Sequence, residues 1–176
     1  MPIEKSVSSV GKTIRISRLF NRESGKSVII PLDHGLPMGP LTGLTNVRET
    51  LGKVVAGGCD AIMLTPGQTV ACASDLRGRE SPSLILRLDW TNMFRSTLPR
   101  LVGSHTLVAS VQDAIRLGAT AVITYLFIGY QTDDAESVNI GNTAKVAREA
   151  ERLGVPYVVE AMGRGPRVKG RETDPE

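Results

Sequence analysis

The sequence is poor in the residues that most often announce a chemistry: its 176 residues include two cysteines, two histidines, one tryptophan, three tyrosines and three phenylalanines. Cys59 and Cys72 each stand in apolar surroundings with no CxxC spacing. That argues against a disulfide framework or a cysteine zinc site, and both thiols read as reduced and buried. Aromatic residues make up 4% of the chain, and 21 Lys+Arg stand against 18 Asp+Glu. The stacking platform and basic surface that nucleic acid needs are both thin, so no nucleic-acid partner is expected. Long apolar runs are missing as well. The longest, 121–128, is interrupted by Thr124 and followed by Gly129, well short of the roughly 18 residues that span a bilayer, and no membrane partner is expected. No apolar core follows the N-terminal charges, and Glu4 and Glu23 argue against an organelle presequence. The expected location is the cytoplasm.

What is present is a repeated pattern. A helix-like stretch ending in glycine and running into a short β-rich segment occurs at VVAGGCDAIML (Gly58), AIRLGATAVITY (Gly118) and AERLGVPYVVE (Gly154). Glycine takes the left-handed conformation that stops a helix, and the chain then turns into a strand. Two further apolar runs, Val28 to Leu32 and Leu84 to Leu88, are short and bounded by turn residues or charges, which brings the expected strands to five. Helical spacing of apolar residues marks Val47 to Ala56, Val111 to Leu117 and Thr143 to Leu153, with a further possible helix at Thr13 to Phe20. Near-continuous apolar strands alternating with one-sided helices imply an α/β fold with a parallel sheet. Residues 1–27 read as an N-terminal closing segment, 28–162 as the α/β body and 163–176 as a polar tail or loop. Arg95 to Leu107 fits neither period and is expected to be loop or a crossing connection.

Chemistry in parallel α/β folds sits beyond the carboxyl ends of the strands. The polar residues there are Asp33 and His34 after the first strand, Thr65 to Gln68 after the second, Asp89 after the third, Thr124 and Tyr125 at the end of the fourth and Glu160 at the end of the fifth. Carboxylates at three of five apolar strand ends suggest a site, because a buried charge without a partner is costly. Plainer readings compete. Asp33 could cap the turn that begins at Gly35, His34 could be a satisfied loop histidine, Asp89 could pair with Arg87 or Arg95 at the surface, and Glu160 with Arg164. His105 lies outside the pattern and is expected in a loop. A metal site built from Asp33, His34, Asp89 and Glu160 is not favoured, since no HxxxH or HExxH spacing is present. The glycines of GLPMGPLTGL match no phosphate-cradling fingerprint, and GRGPR could present Arg164 and backbone amides to an anionic substrate or be a solvated basic loop.

The run VGKTIRISRLFNRESGKSVIIPLDHGLPMGPLTGL resembles the N-terminal signature of the archaeal-type class I fructose-bisphosphate aldolase superfamily, and within it the 2-amino-3,7-dideoxy-D-threo-hept-6-ulosonate synthases. The likeness continues through GGCDAIML, SLILRLD, VQDAIRLGATAV, GVPYVVEAMGRG and ETDPE and covers nearly the whole chain. It implies a (βα)8 TIM barrel of which about the first five βα units are present, a cytoplasmic homo-oligomer in the full-length family, and a cofactor-free lyase or transferase acting on a sugar-phosphate substrate. In that mechanism a lysine forms a Schiff base with a ketose phosphate while an aspartate after strand one, here Asp33, moves protons. His34, Asp89 and Glu160, from their places at the strand ends, and Arg164, from the GRGPR loop, are the substrate-binding candidates, and no residue is taken as a metal ligand. Two features depart from it. Where the family has a YPRG-type tyrosine this chain has Met162, leaving Glu160 or Tyr125 as the nearest proton donors. None of Lys5, Lys12, Lys26, Lys53, Lys145 and Lys169 falls at a strand end, and the family lysine lies on strand six, so the sequence is expected to be a C-terminally truncated, inactive portion of a barrel. The alternative is a non-catalytic α/β module binding a phosphorylated metabolite or a partner chain.

Overall fold

The computed structural model describes residues 7–94 and 103–168. Its elements run α1 (Val7–Ser17), β1 (Ile29–Pro31), α2 (Gly35–Met38), α3 (Val47–Ala56), β2 (Ala61–Leu64), α4 (Pro66–Ala71), β3 (Ser83–Arg87), β4 (Asp89–Thr91), β5 (His105–Leu107), α5 (Val111–Arg116), β6 (Ala121–Ile128), α6 (Asp133–Leu153) and β7 (Tyr157–Gly163). The five expected strands form one all-parallel sheet in the order β1-β2-β3-β6-β7. It is the curled part of a TIM-barrel-type fold. Gly58, Gly118 and Gly154 have φ of 77°, 79° and 64°, the left-handed turn their pattern requires.

Alternation along the strands divides the side chains between two faces. One set, including Leu32, Ile62, Leu64, Leu84, Leu86, Leu88 and Val122, packs with Leu51, Val111, Ala114, Val146 and Ala150 of the helices in an aliphatic outer core. The other set points to the concave side. There Ala61, Ile85, Ala121 and Ile123 pack with Leu19, which closes the amino-terminal end. Side-chain caps start the helices: Asn46 accepts from the Glu49 amide, and Thr65/Gln68 and Ser110/Asp113 form reciprocal capping boxes.

Several boundaries differ from expectation, each for a physical reason. Helix α1 ends at Ser17 rather than Phe20, because the chain must turn for Leu19 to plug the barrel floor. Helix α6 begins ten residues before Thr143. Its buried face there carries Asn139, fully enclosed, which accepts from the Phe127 amide at 2.7 Å and donates to the Tyr125 carbonyl at 3.0 Å. A polar residue at a core position interrupts the apolar period. Of the expected Arg95–Leu107 loop, residues 95–102 lie outside the described residues, while His105–Leu107 is β5, antiparallel to β4. Strand β6 continues past Tyr125 to Ile128, so Thr124 and Tyr125 are not at its end. The glycine-rich 35–43 loop holds the short helix α2.

Candidate active site at the carboxyl ends of the strands

The concave face changes character one layer above Ile85 and Ile123. Arg87, two residues on from Ile85, projects into it and is 1% exposed. A guanidinium cannot be left there alone, and it is not. Its Nε donates to Asp33 at 2.6 Å, Nη1 to Asp89 at 3.4 Å and Nη2 to Glu160 at 2.5 Å, and its Cζ lies 3.7 Å from the Tyr125 ring centroid. Burial alone would lower the Arg87 pKa, but Asp33, Tyr125, Asp89 and Glu160 together outweigh it and hold the group above its ordinary value. Three carboxylates from three strand termini or strands thus meet one cation. Asp33 follows β1, Asp89 opens β4, and Glu160 on β7 is in register with Tyr125 on β6.

The carboxylates are not equivalent. Asp33 and Asp89 side chains are 3% and 0% exposed, whereas Glu160 keeps 35%. Asp89 is also tied from the other side, accepting from the Tyr125 amide at 2.7 Å and bonding His105 Nε2 at 2.7 Å. His105 Nδ1 receives the Asn142 amide at 3.0 Å, so the proton belongs on Nε2, pointing at Asp89. Above this layer Tyr125, Phe127, Tyr130, Phe94, Met93 and Met162 form an aromatic roof. Phe94 lies 5.3 Å from Tyr125 and 5.6 Å from Phe127. Burial pushes the Tyr125 phenol up, only partly offset by Arg87.

The structure therefore joins Asp33, Asp89 and Glu160 of the expected site residues in one cluster. His34 stands at the start of α2 with a buried Nδ1 that has no hydrogen-bond partner among the described residues. Arg164 follows β7, where its Nε donates to the Met93 carbonyl and its guanidinium covers Phe94. Three of the plainer readings need correction. Asp89 meets Arg87 in the interior, not at the surface. Glu160 pairs with Arg87 rather than Arg164. Asp33 uses its backbone carbonyl for the Leu36 amide, while its side chain turns to Arg87. His105 is a buried strand residue, not a loop one. The central member, Arg87, was missed as a site residue; the signal that could have found it is the i, i+2 spacing of an arginine and an aspartate in SLILRLD, which puts both on one face of an otherwise apolar segment where each needs partners.

A parallel sheet curled into part of a barrel, with its polar cluster at the carboxyl ends of the strands, has the design of the α/β-barrel enzymes. Residues 27–176 match the DeoC/LacD family aldolases, and the chain belongs to that family. An uncharacterised aldolase of Saccharolobus solfataricus is 37% identical over 154 residues, covering 87% of this chain and 56% of its own. The 2-amino-3,7-dideoxy-D-threo-hept-6-ulosonate synthase of Halobacterium salinarum is 33% identical over 162 residues, 92% of this chain and 57% of its own. A Schiff-base-forming fructose-1,6-bisphosphate aldolase superposes with a TM-score of 0.71 at 26% identity, over 91% of this chain and 61% of the other. The chain thus spans less than two thirds of each of these relatives.

Proposed function

We propose that these residues carry the carboxylate half of a class I, Schiff-base aldolase site, in a lyase or transferase acting on a ketose phosphate. The observation that supports it most is the convergence of Asp33, Asp89 and Glu160 on Arg87 inside the barrel end, together with membership of an aldolase family. Asp33 is the proton-moving aspartate and Glu160 the carboxylate that substrate can reach. A Schiff-base lysine needs a strand end where burial leaves a fraction of its amine neutral. Among the described residues Lys12 and Lys53 pair with Glu151 and Glu49, Lys145 lies on α6, and Lys26 precedes β1 at the opposite end. No lysine among the described residues stands at the carboxyl end of the sheet; in this reading the amine comes from a segment outside these 176 residues, which on their own form no imine. Incubation with dihydroxyacetone phosphate, borohydride reduction and intact-mass measurement should give no stoichiometric adduct. An adduct mapping to Lys169 would refute this reading.

A second reading, a non-catalytic module binding a phosphorylated metabolite or a partner chain, draws on the same cluster: every carboxylate already has a cation partner. It predicts a discrete stable oligomer in sedimentation.

A further inference from the structure

The carboxylate closest to Arg87 in sequence makes the longest of its three contacts. Asp89 stands two residues away, yet its Oδ1 lies 3.4 Å from Nη1, whereas Asp33 after β1 and Glu160 on β7 come to 2.6 and 2.5 Å. An unrestrained carboxylate so close would swing onto the guanidinium, because two parallel N–H···O bonds are the strongest arrangement the two groups can make. Asp89 is restrained. Its Oδ2 accepts two bonds of 2.7 Å, one from the Tyr125 amide and one from His105 Nε2. The amide is backbone of β6 and cannot be varied. Among the described residues, the imidazole is the one side chain that holds Asp89 from the side away from Arg87.

A separate piece of the fold brings that imidazole into place. Strands β4 and β5, three residues each, form a two-stranded ribbon apart from the main sheet, in the register Asp89↔Leu107 and Thr91↔His105. A ribbon of that length contributes little stability by itself. Its register sets His105 diagonally across from Asp89 on one face, within reach of a long side chain. From outside the ribbon, Asn142 on α6 donates to His105 Nδ1 at 3.0 Å, which leaves the ring proton on Nε2. The His105 and Asp89 side chains are both fully buried, so their bond is shielded from solvent. Asn142, His105, Asp89 and Arg87 thus form one line of hydrogen bonds from the helix to the site, in which each member fixes the next.

We propose that His105 is a positioning residue: by occupying Asp89 Oδ2 it keeps that carboxylate from closing on Arg87 and so leaves the guanidinium aimed at Asp33 and Glu160. Its bearing on catalysis rests on the aldolase reading, in which Asp33 moves the proton, but the test reads Arg87 alone and needs no imine. Glutamine and asparagine separate this role from packing. A glutamine Nε2 lies as many bonds from the backbone as the histidine Nε2, whereas an asparagine amide reaches only as far as Nδ1. In the chain labelled with 15N-arginine, H105Q should leave the Arg87 Nε–Hε resonance where the parent has it. H105N, which stays polar but drops the bond to Asp89, should shift that resonance and speed solvent exchange of the Nε proton roughly tenfold as Asp89 turns onto Arg87 and the bond to Asp33 weakens. The thermal midpoint reports whether each variant is folded. An unmoved Arg87 resonance in folded H105N, or equal displacement in H105Q and H105N, as lost packing would produce, would overturn the proposal. One measurement needs no variant: 15N-histidine spectra of the parent should show His105 as the Nε2–H tautomer, and a ring proton on Nδ1 instead would overturn the proposal even if H105N does not fold. A borohydride adduct on Lys169 would refute the reading of the site given above and leave the Arg87 result standing.

Discussion

The two faces of the same five strands follow different rules. On the outer face the side chains are largely aliphatic, with Thr124 and Tyr157 as a hydrogen-bonded polar exception, and Leu32, Ile62, Leu64, Leu86 and Val122 meet helices that carry leucine, valine and alanine. On the inner face only the amino-terminal layer is like this. One step further along, Ile85 gives way to Arg87, Ile123 to Tyr125 and Val158 to Glu160. The outer face is interchangeable packing that holds the sheet to its helices. The inner face spends that stability on a charged layer with few acceptable substitutes, which is how a site differs from a core.

Substitutions rank the two faces. Arg87→Met leaves Asp33 and Asp89 as buried, uncompensated carboxylates and should cost about 3–5 kcal/mol in urea denaturation. A cost below about 1 kcal/mol would mean that the inner layer is as replaceable as the outer one. Leu86→Ala, its neighbour on the outer face, removes packing alone and should cost about 3 kcal/mol, within the usual range for a buried leucine. Because that void is apolar, Leu86→Met should recover most of the loss, whereas Arg87→Lys should recover little, a lysine being unable to reach three carboxylates at once.

Away from both faces, acid should act through Asp113. The Ser110 hydroxyl first, then the Ser110 amide and Arg116, hold its pKa below the ordinary carboxylate value against slight burial. A depressed folded pKa contributes stability that is present above the unfolded carboxylate value and lost as the pH falls through the lowered one. In thermal melts at decreasing pH, Asp113→Asn should show a smaller acid-induced fall in midpoint than the parent, and a parallel fall would remove Asp113 from the acid response. Smallest of all is Lys53→Ala. Its partner Glu49 is exposed on α3, and no resolvable change in midpoint is expected.

Legibility followed the same division. The outer face could be read because its residues speak only of burial: Val28–Leu32 and Leu84–Leu88 are bounded apolar runs, and the strand pattern at Gly58, Gly118 and Gly154 repeats. Asp33 and Asp89 could be read from their place just past strand ends; Glu160 was expected at a strand end too, but β7 runs on to Gly163 and holds it mid-strand. What could not be read was pairing. Arg87 belongs to a strand that looks wholly buried, and its three partners lie 54, 2 and 73 residues away in sequence. His105 and Asn142 were hidden for a like reason: β5 is three residues long, and Asn142 sits in the part of α6 whose period Asn139 interrupts. Polar residues in a core are informative only once their partners are known.

The locked Arg87 is the centre of this account, and arginine side-chain NMR tests it directly. With 15N-labelled arginine, Arg87 should show separate Nη proton resonances that exchange slowly with solvent, because three carboxylates stop the guanidinium from rotating. A rapidly exchanging, averaged Arg87 would contradict the claim that one buried cation organises the carboxylate half of the site.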